Sequence, residues 1–598
     1  MNMRIVSVLA LSVSGLALFA AAAACGDSRD RFNPEPPGFD LITPEEDAGD
    51  CPLQCSIDGR AVVDSCTGKV VETCRSEQAC GAALCQEPCA AAAADRSSNG
   101  CDFYFQAPAT QADFAGSCYA TFIVNTSTLP VEVSLERDGA TIDIAQSLFR
   151  TTPGDATLLP HSGPVAPGES AILFVSEASS GAASSSSHVS CPSDATAAVL
   201  EDDPLTSTGI ASSFRLKTST PVSLVAMYPF GGASSHLPST TLLLPVANWA
   251  KDHVVVAPWE TAVRGKLIGV PTTQIVAAED ATEVTILAPR AIGDGLNVKG
   301  SPANVPATYR LDRGQYLQLV QHDELTGSIV RSNKPTTIFG GHTCADIPVN
   351  RMTEACDILG QQIPAYEHWG SEYAAVGYRP RLGDEDEAMP YRIVAARDGT
   401  RLDYDPAIPA GAPTELAAGE AATFPAGVGD AFVVRTQDAE HPIYMAAYMT
   451  SAAGFYFGSP DMGGHGDPEF VNVVPAGQYL NSYSFYADPT FLETSLVIMR
   501  AKSHGAFNDV WLECAGNLSD WKPVGTRGEY EFTRVDLARR RGPGATFGDK
   551  TCTTGLQRMR SDGPFTATLW GWDHYASYAY PGGMANRKLV TTPLDPLR

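Results

Sequence analysis

Basic residues are scarce. The 598-residue chain has 41 Lys and Arg against 68 Asp and Glu, a net charge of −27 and a pI near 4.7. That balance excludes nucleic acid as a partner, because neutralising phosphates takes clustered cations. The one basic run, Arg539-Arg540-Arg541, lies among glycine and proline and reads as a loop. Histidine is sparse too, with 11 residues from which to build a base or a metal site. Beyond its leader the chain also lacks a Gly-x-x-x-x-Gly-Lys phosphate loop, a His-Glu-x-x-His pair and a Gly-x-Ser-x-Gly elbow. No catalytic residue, metal or cofactor is therefore assigned. Long helical periods are missing, while short runs such as FIVN, VEVSLE, AILFV, VSLVAMY and EVTILA alternate with Gly, Pro, Asn and Asp. With 44% apolar residues to fill cores, the fold class is all-β.

Cysteine is not scarce, and its placement divides the chain. Residues 1–24 carry a single charge, Arg4, then an apolar run and a string of alanines, which reads as a bacterial export signal. Small residues before Cys25 resemble a lipoprotein cleavage site, with Ala22 where leucine is usual, so Cys25 is the expected lipid anchor. Residues 25–50, acidic and proline-rich, read as a tether. Setting Cys25 aside leaves 14 of the 15 cysteines, an even number suited to an oxidising compartment. Eight of them, Cys51, Cys55, Cys66, Cys74, Cys80, Cys85, Cys89 and Cys101, fall in residues 51–101 with no histidine between them. Four disulfides fit better than zinc, since so short a module needs staples, although 105 pairings stay open. The Ala90 to Ala94 run and the polar stretch after it read as a hinge.

The remainder repeats itself. A Gly-acid/amide corner before an apolar strand occurs at Gly168-Glu169, Gly314-Gln315, Gly419-Glu420 and Gly528-Glu529, spaced 146, 105 and 109 residues apart. Each corner is followed by a polar turn with a proline that opens a strand: Pro221, Pro335, Pro442 and Pro564. Two markers in one order predict four tandem sandwich-like repeats, 102–250, 251–380, 381–490 and 491–598. The first and last carry longer corner-to-proline segments, 53 and 36 residues against 21 and 23. Each longer segment holds one cysteine, and each of those repeats has another before its corner. This predicts disulfides Cys118–Cys191 and Cys514–Cys552, with Cys344 and Cys356 as the remaining pair. The aromatic, apolar linkers between repeats are expected to pack against their neighbours, and a ring of repeats is an alternative to a row.

Other candidates are weaker. Asp461, His465, Asp467 and Glu469 form the densest donor cluster, read as exposed acids on a Gly/Pro-rich turn, with a calcium loop as the alternative. His342 lies beside Cys344, which a disulfide explains better than a metal. The acidic run Asp384 to Glu387 reads as a solvated loop, and Ser184 to Ser187 as a surface loop. Trp570 and Trp572 fall on one face of a strand and, with Tyr575, Tyr578 and Tyr580, read as core before binding surface.

The segments EDATEVTILAP (279–289), RDGTRLDYDP (397–406), GSIVRSNKPTTIFGGHTC (327–344), GDPEFVNVVPAGQYLNSYSF (466–485) and GWDHYASYAYPGGM (571–584) together resemble the N-terminal domain of the IgG-Fc-binding protein family. The resemblance spans roughly residues 102–590 and implies extracellular binding or adhesion without a known reaction. It carries no ligand-contacting residue onto this chain. The expectation is a lipid-anchored protein of the outer membrane or cell surface that binds an extracellular protein or glycan. The alternatives are a secreted polysaccharide-acting hydrolase, which needs a carboxylate pair in a cleft, and a purely structural envelope protein.

Overall fold

Long strands interrupted by proline set the architecture. In the computed structural model, which describes residues 53–596 apart from 57–58, 66, 179–187, 265–266, 348–355, 384–386 and 453–461, the strands Phe214–Tyr228, Ile329–Ala345 and Gly555–Asp573 each carry an internal proline: Pro221, Pro335 and Pro564. Proline has no N–H to give a ladder. Near each one the strand leaves one sheet and joins another. Between these spines a further one is split into Phe432–Thr436 and Ile443–Met449, with Pro442 in the break. The leader, Cys25, the tether, Cys51, Cys66, Ser184 to Ser187, Asp384 to Asp386 and Asp461 lie outside the described residues.

The four spines are wired alike. Residues 214–218 pair with Gly100–Phe105 and Val133–Arg137, and residues 222–228 with Tyr119–Asn125 and Ser239–Leu243. The start of the second spine pairs with Ala250–Val254 and Thr282–Leu287, its end with Pro271–Ala277 and Asp357–Ile363. In the third, Phe432–Thr436 pairs with Glu372–Ala375 and Thr400–Asp405, and Ile443–Met449 with Ala388–Ala395 and Glu469–Asn472. In the fourth, the start pairs with Leu480–Ala487 and Val510–Leu512, the end with Glu493–Ala501 and Ala576–Pro581. Every stretch is thus two antiparallel sheets sharing one spine, an all-β, sandwich-like plan.

The glycine corners have a backbone cause. Gly168, Gly314, Gly419 and Gly528 sit at φ +69°, +78°, +74° and +69°, the left-handed region that residues with a Cβ adopt poorly. In two of the corners the next side chain closes the turn. Gln315 Oε1 accepts from the Asp312 N–H at 2.8 Å, and Glu420 Oε2 from the Ala417 N–H at 2.8 Å. The strand beyond each corner then pairs next to the spine's second half.

The cores do not stop at the stretch boundaries. Phe122 and Phe174 share a cluster with Tyr391, Phe424, Leu496 and Trp570, while Ile275 and Leu317 share one with Tyr444 and Phe470. Gly209–Ser212, just before the first spine, adds a strand to the second stretch by pairing with Gln315–Val320. The fourth stretch returns to the first. Tyr486 packs on Phe122 at 4.9 Å, the Gly154 N–H donates to Thr554 O, and the Ser98 N–H to Met584 O. The C-terminal segment then runs on over the second and third stretches. Val590 and Leu594 are buried there, and Leu594 O accepts from Arg331.

The cysteine module is small. Leu53–Cys55, Ala61–Asp64 and Val70–Thr73 form one sheet and Ala79–Gly81 with Leu84–Gln86 a hairpin, around a core of Val62, Cys74 and Cys80. Disulfides Cys55–Cys80, Cys74–Cys85 and Cys89–Cys101 hold it. The stretch read as a hinge is a helix, Pro88–Asp95, with Pro88 in its first turn and the Glu87 carboxylate capping Cys89 and Ala90. An alanine run punctuated this way folds because it docks, with Ala91 and Ala92 buried.

Candidate functional site

The last strand of each stretch is a sheet edge. Ser239–Leu243, Asp357–Ile363, Glu469–Asn472 and Ala576–Pro581 each pair with a spine on one side only. An edge presents backbone N–H and C=O groups that need partners. Here the four edges converge on one another, and a glutamine fills the centre. Gln361 Nε2 donates to the carbonyls of Thr240 (2.6 Å), Phe470 (2.9 Å) and Ala579 (3.2 Å), one on each of the other three strands. Neighbouring side chains satisfy more of the edge. Ser239 Oγ accepts from the Gly360 N–H at 2.9 Å, Thr241 Oγ1 from the Gln362 N–H at 2.9 Å, and Asn472 Nδ2 donates to Gln362 O at 3.0 Å.

Carboxyl groups are sealed into this axis. Glu469 and Asp357 are 0% exposed and Asp467 1%. Two of the acids read as an exposed turn are therefore interior, whereas His465 is half-buried. Burial holds the Glu469 carboxyl well above its ordinary pKa, against the hydrogen bond from the Phe470 N–H at 2.9 Å. Burial raises Asp357 too, and the negative charges of Asp467 and Glu469 add to it. Among the described residues, no group of three or more His, Cys, Asp or Glu side chains is placed to hold a metal ion.

Because the axial strands lie side by side, the described residues of the turns leading into them gather at one end of the axis. The second and third touch through Ser451, whose N–H donates to Ile347 O at 2.9 Å and whose hydroxyl donates to Asp346 at 2.9 Å. The third and fourth touch where the Tyr575 N–H donates to Gly464 O and the Gly466 N–H to Asp573 O. Gly464, at φ +81°, lies under the His574 ring, where a Cβ would come within 2.7 Å. The first meets the fourth at Gly232, whose missing Cβ would fall 3.0 Å from Asp573 Oδ2. Beneath the third turn, Arg381 pairs with Glu387 at 2.6 Å and donates to the carbonyls of Thr450 and His465, both at 2.9 Å. It thereby pins the two ends of that turn.

Among the described residues, this end offers aromatic, imidazole and apolar surface to solvent. His236 and His574 are exposed and Tyr575 is half-buried. Beside the second turn the hairpin Ala262–Arg264 and Leu267–Gly269 shows Val263 and Ile268, a cross-strand pair exposed by 53% and 50%. The hairpin is fixed at its base, where the Thr343 N–H donates to Val270 O and Gln111 Nε2 to Ile268 O.

Other residues singled out in the sequence have structural places. Disulfides join Cys118 to Cys191, Cys344 to Cys356 and Cys514 to Cys552. His342 is buried, its Nε2 bonded to Glu260 O and its Nδ1 accepting from the Cys344 N–H. Trp570 and Trp572 are core, packed at a tilt against Tyr378. Arg541 in the basic run pairs with Asp573. Glu387 departs from the solvated-loop reading: it is 2% exposed and bonded to Tyr378 and Arg381. Gln361, Asp357 and Arg381 were not singled out. The paired glutamines in DILGQQI, polar in an otherwise apolar strand, were the available signal for the first.

A profile described as IgGFc binding protein matches residues 239–571, from the first residue of the first axial strand into the last spine, which ends at Asp573. No curated protein matches the chain significantly. Among the described residues, no helix is long and apolar enough to cross a membrane.

Proposed function

The chain belongs to the IgGFc binding protein family, and from that premise we propose that it is a non-catalytic, extracellular binding protein that takes its ligand on the turns gathered at one end of the axis. The body is four copies of one two-sheet block, whose paired strands fall within residues 100–243, 250–363, 372–472 and 480–581 and not at the bounds 250, 380 and 490 expected from the glycine and proline markers; it is carried by the disulfide module 51–101 and the tether 25–50 and lipid-anchored through Cys25 to the outer membrane or cell surface. The ligand is an extracellular protein or a glycan. The observation that supports this reading is the shared pairing plan, which brings equivalent turns of four blocks together beside the exposed Val263–Ile268 pair. The carboxyls of Asp357 and Glu469 are buried in the axis, whereas a hydrolase needs an acid pair open to substrate.

The test is an array of glycans and extracellular proteins, immunoglobulin Fc included, probed with the full chain. A retained ligand should bind at least tenfold more weakly to Val263→Asp or His574→Ala and equally well to Val305→Asp, an exposed position in a loop of the second block. Retention unaffected by both axial variants, or turnover of a polysaccharide on the array, would overturn the reading.

A further inference from the structure

We propose that the axis works as a proton-held latch, in which Asp357 is kept as the neutral acid where the second and third stretches meet and release of its proton loosens that junction beneath the turns. Asp357 is 0% exposed, and neither of its carboxyl oxygens has a hydrogen-bond partner. A carboxylate in that position would be an uncompensated charge in a dry interior, which proteins avoid by pairing or by protonation. Among the described residues, pairing is not what its surroundings provide. The neighbouring axial strand presents Glu469, and the segment leading into that strand presents Asp467, so the charges felt by Asp357 are negative. Its spine partner is Ala345; beyond it Asp346 is engaged with Ser451, and His342 is held neutral by burial and bonded to Glu260 O. Arg381, a cation that feels the Asp467 charge, is itself bonded to Glu387, Thr450 and His465. A proton on Asp357 removes the conflict, and burial favours that form.

The sign follows from linkage. Unfolded, an aspartic acid loses its proton near pH 4; in the closed axis it keeps it to higher pH. The latch is therefore tightest in acid and weakens as pH rises, with up to about a tenfold loss in the folding constant per pH unit for each proton released. The bond between Ser451 and Asp346 lies at this junction, so the second and third turns are the first to separate.

Urea unfolding of the full chain between pH 5 and pH 9 tests this by difference, since other titrating groups are common to all variants. Asp357→Asn keeps the shape and cannot ionise. It is expected to match the wild type near pH 5, to be more stable than it at pH 9, and to show a smaller fall between the two. The infrared band of a protonated carboxylic acid, present in the wild type at pH 7, should lose intensity in Asp357→Asn. Glu469→Gln provides a second variant if the first fails to fold, with the same direction expected. Equal pH slopes in wild type and variants, or an unchanged infrared band, would overturn the proposal. So would millimolar Ca²⁺ stabilising the wild type but not Asp357→Asn at pH 8, which would assign the charge balance to a cation.

Discussion

Removing the amide of Gln361 should damage the whole body and not one stretch of it. Its two N–H hydrogens serve three carbonyls, those of Thr240, Phe470 and Ala579, on strands from three other stretches. Gln361→Leu preserves the bulk and takes away both donors. At least two buried carbonyls then lose their partner, at about 1–3 kcal/mol each, so the loss is roughly 2–6 kcal/mol. Against a typical total of about 5–15 kcal/mol that is a large fraction. Urea unfolding followed through the buried tryptophans measures it. Gln361→Glu is the sharper variant, because an ionised carboxylate would turn two acceptors toward three carbonyl oxygens. It should be less stable than Gln361→Leu at pH 8 and recover toward pH 5 as the carboxyl takes up a proton. A loss under about 1 kcal/mol for Gln361→Leu, or wild-type stability of Gln361→Glu at pH 8, would refute the claim that the edges are held through this side chain.

Two further outcomes follow from the same interior. Cys118→Ser with Cys191→Ser opens a loop of 73 residues, worth about 4 kcal/mol in the chain-entropy model, against about 3 kcal/mol for the 12-residue separation of Cys344–Cys356; denaturation of the two double variants side by side checks the order. Burial lowers the pKa of His253 and of His342 to about 4, and the His342 Nδ1 accepts the Cys344 N–H as only the neutral ring can. The folded state thus binds fewer protons than the unfolded chain, and the stability these rings contribute is present above pH 6.5 and lost as pH falls toward 4, about 3 kcal/mol for each ring. His342→Gln should flatten the acid limb of a stability profile, and an unchanged limb would contradict the assignment.

The sandwich-like sheets were legible because their signals are local. A glycine that must adopt positive φ and a proline that must interrupt a ladder leave marks at fixed places, and Gly168, Gly314, Gly419 and Gly528 share one backbone conformation. The axis was not legible in the same way. Thr240, Phe470 and Ala579 are a threonine, an aromatic and an alanine, alike only in lending a backbone carbonyl to the Gln361 side chain. Nothing in their side chains announces that shared duty. The acids of the GDPEF segment misled for a related reason: Gly/Pro-rich sequence reads as an exposed turn, yet this one leads directly into a strand that the other three edges cover.

The axis also explains why the stretches are bound into one another instead of standing as beads. A lone two-sheet block would leave its last strand with an open edge, an invitation to pair with another chain. Short edge strands, charged edges or covering segments are the usual remedies, and the covering here is reciprocal, each edge shielded by three others. That solution requires the chain to close on itself. The closure is visible where Ser98 meets Met584 and where the Asn586 N–H donates to Arg96 O. The segment from Met584 to Leu594 then crosses the second and third stretches on backbone and side-chain hydrogen bonds with Gln478, Tyr366, Arg397 and Arg331. Reciprocal covering and closure thus make one cooperative body, and they give the gathered turns the fixed spacing that a multi-point binding surface needs.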